Sequence, residues 1–248
     1  MMENEWVIGR QGVREALGAG RQVAKLLVAD GAGKGKGGLG PLLEEARQKG
    51  ITVQFVPRKK LDDIARGGNH QGVAAQVEAY RYAGVDELFR RAEERGESPF
   101  FLLLDGVEDP HNLGSMLRTA DAAGAHGVII PKRRAAGLTQ TVAKTSAGAI
   151  EHIPVARVTN LNRTAEELKE RGVWLFGSDA DAPEPYDRVD YSGAVGLVIG
   201  SEGKGISRLL KEKCDFLVRL PMKGRVSSLN ASVAGALLMY EVVRSRGR

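Results

Sequence analysis

From residue 100 onward the apolar positions come in four short unbroken runs: FFLLL at 100–104, GVIIP at 127–131, VWLFG at 173–177 and VGLVIG at 195–200. Runs without alternation predict strands buried on both faces, the habit of a parallel sheet. Around them the spacing turns helical, over 113–123, 165–171, 206–213 and 228–244. The last of these sets Val233, Ala236, Leu237, Tyr240 and Val243 on one face. A further short strand ends at Leu220 and Pro221. Strands alternating with helices predict an α/β unit over 99–248, with its ligand at the carboxyl ends of the strands.

Upstream the pattern is finer-grained. Val13, Ala16 and Leu17 sit at helical spacing, and KLLVA at 25–29 reads as a strand. The amphipathic stretch 39–49 stops at Gly50, a usual helix terminator. Residues 51–56 alternate like a strand, 60–65 suit a short helix and 71–77 form another strand. This predicts a small α/β unit over 1–78, joined through the charged helix-like stretch 79–98, read as a linker.

Composition narrows the class. Of 248 residues 42% are hydrophobic and 27% charged, a globular balance rather than a disordered one. The formal charge of +5 and pI near 9.3 favour a polyanionic partner. Cys214 is the only cysteine, which excludes an internal disulfide and a cysteine-cluster zinc site. No apolar run approaches the ~20 residues needed to cross a bilayer, and a cytoplasmic location is expected. The segment GAGKGKGGLG at 31–40 is not a phosphate-binding P-loop, because Gly37 follows Lys36 where a hydroxyl residue is required. It reads as a basic loop. Basic stretches at 57–60 (PRKK) and 131–134 (PKRR) are candidate phosphate contacts or solvated surface.

Three segments carry candidate chemistry. In LLLDGVEDPHNLGSMLRTADAAG (102–124) a buried strand leads through a polar loop into a helix, with Asn112 placed to cap it and Arg118 six residues on. In LVIGSEGKGISRLL (197–210) Gly200, Gly203 and Gly205 close a strand and open a helix, and Glu202 projects from the glycine loop. The order G-x-x-G-x-G is not the dinucleotide fingerprint. In LVRLPMKGRVSSLNASVAGALLMYEVVR (217–244) a strand ends at Leu220 and a basic loop enters a helix at Ser228. Ser227 or Ser228 would cap that helix, and Asn230 could be a plain exposed residue.

Taken in order, N-x-G-x-x-x-R, then G-x-E-G-x-G, then L-P-M with S-L-N-x-S resemble the three signature motifs of the SpoU/TrmH branch of the SPOUT RNA 2′-O-methyltransferases. The resemblance covers 100–244. IGRQGVREAL near the start and NHQGVAAQV at 69–77 resemble the L30e-like RNA-binding domain of the same branch, and the subgroup most alike is the 23S rRNA guanosine-2′-O-methyltransferase (RlmB) one. The resemblance implies a trefoil-knotted catalytic domain using S-adenosylmethionine, an RNA substrate, 23S rRNA in particular, and a homodimer formed through the knot domain. It implies donor contacts from Ile199, Gly200, Leu220, Met222, Ser228 and Leu229, and acceptor-site roles for Asn112, Arg118, Glu202, Ser228 and Asn230. No metal is implied. A guanidinium is too weak an acid to serve readily as a base, so Arg118 is expected to grip the adjacent phosphate. A homologue acting on tRNA or on another rRNA site, or one that only binds RNA, is the competing reading. A hydrolase is disfavoured: no G-x-S-x-G is present, and His70, His111, His126 and His152 show no pattern tying them to a serine.

Overall fold

A computed structural model describes residues 4–18, 22–32 and 39–247, in two units that divide after Tyr80. Residues 33–38 of the glycine–lysine segment lie outside the described residues. No described helix is long and apolar enough to cross a membrane.

The first unit runs β1 (Asn4–Ile8), α1 (Arg10–Gly18), β2 (Val23–Ala29), α2 (Gly40–Gln48), β3 (Thr52–Val56), α3 (Arg58–Ala65) and β4 (Val73–Glu78). Its sheet has the order β1-β4-β2-β3, with β2 and β3 parallel and the other neighbours antiparallel. Val13, Ala16 and Leu17 are buried on α1, as an i, i+3, i+4 stripe requires. β1 was not expected. Its alternation is legible only beside β4, where Val7 packs into one core cluster and Trp6 and Ile8 into the other.

The second unit begins with α4 (Val85–Glu94), inside the stretch read as a linker. That reading is corrected by packing. Val85, Leu88, Phe89 and Ala92 form a stripe at i, i+3, i+4, i+7. Leu88 and Ala92 are buried, and Leu88 joins a core cluster with Phe101 and Leu103. β5 (Phe100–Asp105), α5 (Pro110–Ala122), β6 (Gly127–Pro131), α6 (Gln140–Thr145), β7 (Val155–Val158), α7 (Leu161–Glu170) and β8 (Trp174–Ser178) follow. The chain continues through β9 (Glu184–Pro185), β10 (Val195–Gly200), α8 (Arg208–Lys211), β11 (Phe216–Arg219) and α9 (Ala231–Arg246).

The sheet of this unit has the order β7-β6-β5-β10-β8-β11-β9, and every neighbouring pair is parallel. All six residues of β10 and the first five of β5 are buried, so the unbroken apolar runs mark the centre of the sheet. α4, α7 and α8 cover one face through Leu88, Leu161, Leu168 and Leu210. On the other, α9 packs against α5 and β10. Each fully buried leucine contributes roughly 1.5–3 kcal/mol, and this concentration of them fixes the central strands. The carboxyl ends of β5, β10 and β11 carry the three candidate segments.

Candidate active site

Two helix starts differ from expectation, and both differences build the site. α5 begins at Pro110 and is capped by Asp109, whose carboxylate accepts from His111 N at 3.0 Å. Proline suits a first helical position and aspartate a cap, so Asn112 lies inside the first turn with its side chain free for other use. α9 begins at Ala231 rather than Ser228. Its cap is Asn230, whose Oδ1 accepts from Ser232 N at 3.0 Å and Val233 N at 3.3 Å. Ser228 and Leu229 therefore stay outside the helix.

Asn112, Glu202 and Asn230 meet. Asn230 Nδ2 donates to Asn112 Oδ1 at 2.9 Å and also to Glu202 Oε1. The same Oε1 accepts from Asn112 Nδ2 at 3.3 Å and Ala231 N at 3.4 Å. Among the described residues nothing is bonded to Glu202 Oε2. One carboxylate oxygen is thus spent on holding three elements together, and the other is available to a substrate. Asn112 is buried while Glu202 and Asn230 are exposed, which sets the cluster at the lip of the molecule. Arg118 is not part of it: the residue is exposed on α5 and makes no ion pair among the described residues.

Beside the cluster a pocket of about 480 Å³ opens at the ends of β10, β8 and β11. All six residues expected to contact a donor line it: Ile199, Gly200, Leu220, Met222, Ser228 and Leu229. Gly200 is required by close approach. A Cβ there would stand 2.0 Å from Gly205 C and 2.2 Å from Ile206 N. The glycine loop folds back on itself through paired bonds between Ser201 and Gly205, and Ser207 N donates to Asp105 Oδ2 at 2.7 Å, tying it to β5.

Asp179, Asp181 and Lys204 also line the pocket and were not anticipated. No local motif announces the two aspartates; they arrive because β8 is the neighbour of β10 in the sheet. Partial burial works against the charge on Asp179, yet its ion pair with Lys211 and the bond from Asp181 N hold its carboxyl below the usual range. Asp181 is exposed, and its charge acts on Lys211 together with that of Asp179. The pocket thus joins an apolar floor to a charged rim on which Asp179 is paired with Lys211 and Lys204 stands beside the acidic groups. His111 lies near the cluster but is turned to Thr145 Oγ1 at 3.4 Å. Burial pushes the Cys214 thiol up to about 12, which removes it as a nucleophile. No group of three or more potential metal ligands occurs among the described residues.

In the first unit the two sequence motifs lie side by side. Arg10 N donates to Gln71 Oε1 at 3.0 Å, and His70 is buried between Gly72 N and Asp62 at 3.0 Å each. Arg10, Arg58, Gln71 and Gly72 line a cleft of about 480 Å³. Arg58, Lys59 and Lys60 are all exposed.

The parallel sheet, the pocket at its carboxyl edge and the preceding small α/β unit define a methyltransferase of the SPOUT class. The chain belongs to the SpoU rRNA methylase family, which matches residues 99–240, and is an RNA methyltransferase of the SpoU/TrmH type. Residues 6–83 match the family described as RNA 2′-O ribose methyltransferase substrate binding. YacO of Bacillus subtilis (strain 168), named for the TrmH family of tRNA/rRNA methyltransferases, is 60% identical over 98% of this chain and 97% of its own. Among solved structures, the SpoU methyltransferase AviRb from Streptomyces viridochromogenes, in complex with AdoMet, aligns with TM-score 0.64 and 27% identity over 98% of this chain and 90% of that one. An AdoMet-bound rRNA methyltransferase from Sinorhizobium meliloti aligns with TM-score 0.62 and 28% identity over 97% and 87%.

Proposed function

We propose that the protein transfers a methyl group from S-adenosylmethionine to the ribose 2′-hydroxyl of a guanosine in 23S rRNA, in the peptidyl-transferase region, in the cytoplasm. The observation that carries this reading is the Asn112–Glu202–Asn230 cluster at the edge of the pocket. The pocket fits such a donor: Ile199, Leu220 and Leu229 offer apolar contact to adenine, backbone at Gly200 allows close approach, and the exposed Asp181 carboxylate on the rim suits a cationic group. Bound there, the donor would supply a sulfonium methyl: the ribose oxygen forms the new O–CH3 bond as the S–CH3 bond breaks to leave a neutral thioether, and the hydroxyl proton passes toward Glu202 Oε2.

The chain's own part is alignment and electrostatics. Such positioning supplies up to ~7–11 kcal/mol of a barrier when the reacting atoms are held in line. Glu202 Oε2 accepts from the ribose hydroxyl and orients it, and Asn112 and Asn230 fix that carboxylate. Ser228 supports the donor side. Arg118 holds the phosphate beside the target nucleotide, a bidentate contact that lysine cannot copy. Arg118→Lys is expected to lower single-turnover transfer by ~10-fold or more with donor affinity unchanged. Near-normal turnover by this variant would refute the bidentate role.

The second unit is proposed to be knotted and to work as a homodimer. Val233, Leu237, Tyr240 and Val243 on α9 are 39–53% exposed, so core packing does not account for that face. With Ser115 and Thr119 of α5, three of them line a groove of about 380 Å³ beside Arg118. A second copy seated there would cover the apolar strip and bring Arg118 to a neighbouring site.

The test is tritium transfer from S-adenosylmethionine to 23S rRNA, 16S rRNA and tRNA from a strain lacking the enzyme, followed by nucleoside analysis. Label recovered as 2′-O-methylguanosine in 23S rRNA alone is the expected result. Label in tRNA would keep the chemistry and replace the substrate. Absence of transfer to all three would overturn the reading.

A further inference from the structure

The loop between β6 and α6 combines a braced backbone with unpaired charge. Lys132 N donates to Val158 O, Ala136 N to Val107 O and Leu138 N to the Tyr82 hydroxyl, each at 2.8 Å. Tyr82 is itself covered by the Arg157 guanidinium, 4.1 Å above its ring. Ala136 and Leu138 are buried, so this loop is anchored at its base and along its return. Its tip is different. Lys132, Arg133 and Arg134 are exposed, and none makes an ion pair among the described residues. The acidic groups on the neighbouring loop, Glu108 and Asp109, are not paired with them; Asp109 caps α5.

Arg134 adds a second observation. Its φ is 56°, in the left-handed region that favours glycine. Glycine would meet the turn without strain, so what this position gains from arginine is the guanidinium. Strained non-glycine residues of this kind concentrate at binding and catalytic sites.

Placement gives the charge a target. Val107, which the loop grips, belongs to the β5–α5 connection leading to Asn112. The sheet order β6-β5-β10-β8-β11 puts the pocket on the β8 side of the cluster and this loop on the β6 side. A donor in the pocket leaves the β6 side for the acceptor strand.

We infer that Lys132, Arg133 and Arg134 form a fixed phosphate-binding edge that holds the backbone of the substrate RNA next to the target ribose. This rests on the reading of the protein as an RNA methyltransferase. Phosphate contacts position without reading sequence, so the edge sets register while other surfaces choose the site.

The experiment compares wild type with a K132Q/R133Q/R134G variant, the glycine chosen to suit the turn. The probe is whichever of 23S rRNA, 16S rRNA and tRNA accepts methyl from the wild type. KM for RNA is expected to rise about tenfold with kcat within about twofold. The slope of log affinity against log salt is expected to become shallower by about 2, at ~0.7 per lost single-strand contact. Donor affinity, measured by calorimetry, should not move, which also shows that the fold is intact. An Arg133→Lys/Arg134→Lys variant, which keeps the charge, should retain the wild-type slope. Unchanged KM and slope in the triple variant of a protein whose wild type methylates RNA would overturn this inference alone. Transfer by the wild type to none of the three RNAs would instead overturn the underlying reading.

Discussion

Asn230→Ala is expected to lower single-turnover methyl transfer by about 100-fold and to destabilise the second unit by about 1–2 kcal/mol. Two separate losses combine. The side chain caps α9 through Ser232 N and Val233 N, and removing such a cap costs ~1 kcal/mol. Its amide also donates to Asn112 Oδ1 and to Glu202 Oε1. A hydrogen bond to a charged group is worth about 1.5–3 kcal/mol, and misplacing a positioning group by ~1 Å can cost 10²-fold in rate. Asn230→Asp separates the two effects. It keeps a capping oxygen for Ser232 N and Val233 N but sets a second carboxylate against Glu202, so any loss of stability comes from charge repulsion at the cluster rather than from a lost cap, and transfer should fall at least as far as in the alanine variant. Thermal unfolding and rapid-quench transfer measure the two quantities. A fast Asn230→Asp enzyme would show that the amide does not serve the reaction.

Gly200→Ala is expected to abolish measurable donor binding, with affinity down by at least about 100-fold, and to lower the melting temperature of the second unit. The added methyl would lie 2.0 Å from Gly205 C, 2.2 Å from Ile206 N and 2.3 Å from Gly205 O. All three are backbone atoms, so no rotamer change relieves the clash. The glycine loop would have to move away from β10, taking Glu202 and the wall of the pocket with it. Overpacking in a dense interior costs typically 1–3 kcal/mol, and each kcal/mol shifts melting by ~2–4 °C at this size. Calorimetric titration with S-adenosylmethionine and a melting curve read both effects. Wild-type affinity in this variant would mean that the strand and loop do not make the approach described.

The sequence carries the middle of the catalytic unit well and its edges poorly, for a physical reason. β5 and β10 are buried on both faces, so their apolar runs are long and unbroken. β7 and β9 lie at the margins of the sheet, where VARV and EP need no such run. β1 is read only from its partner. The stretch 79–98 looked like a linker because its charges dominate the composition, although its apolar stripe was present at helical spacing.

The site shows the same division. Ile199, Gly200, Leu220, Met222, Ser228 and Leu229, singled out by the motif resemblance, line one pocket. Asp179 and Asp181 were missed because they reach it through strand adjacency, which a single sequence does not display. Asn112 and Asn230 were singled out, but their local roles were exchanged with those of neighbours. Asp109 competes better for the cap of α5 because Pro110 fixes the first helical position. Ser228 loses the cap of α9 because the helix starts later, at Ala231.

Because one side chain both seals the start of α9 and clasps the carboxylate, the enzyme has an internal fuse. Fraying the first turn of that helix, a small local opening, releases Glu202 from its ties while the sheet stays intact. Local openings of this kind lie well below the free energy of global unfolding. On heating, methyl transfer should therefore fade at a temperature where far-ultraviolet circular dichroism still reports a folded chain.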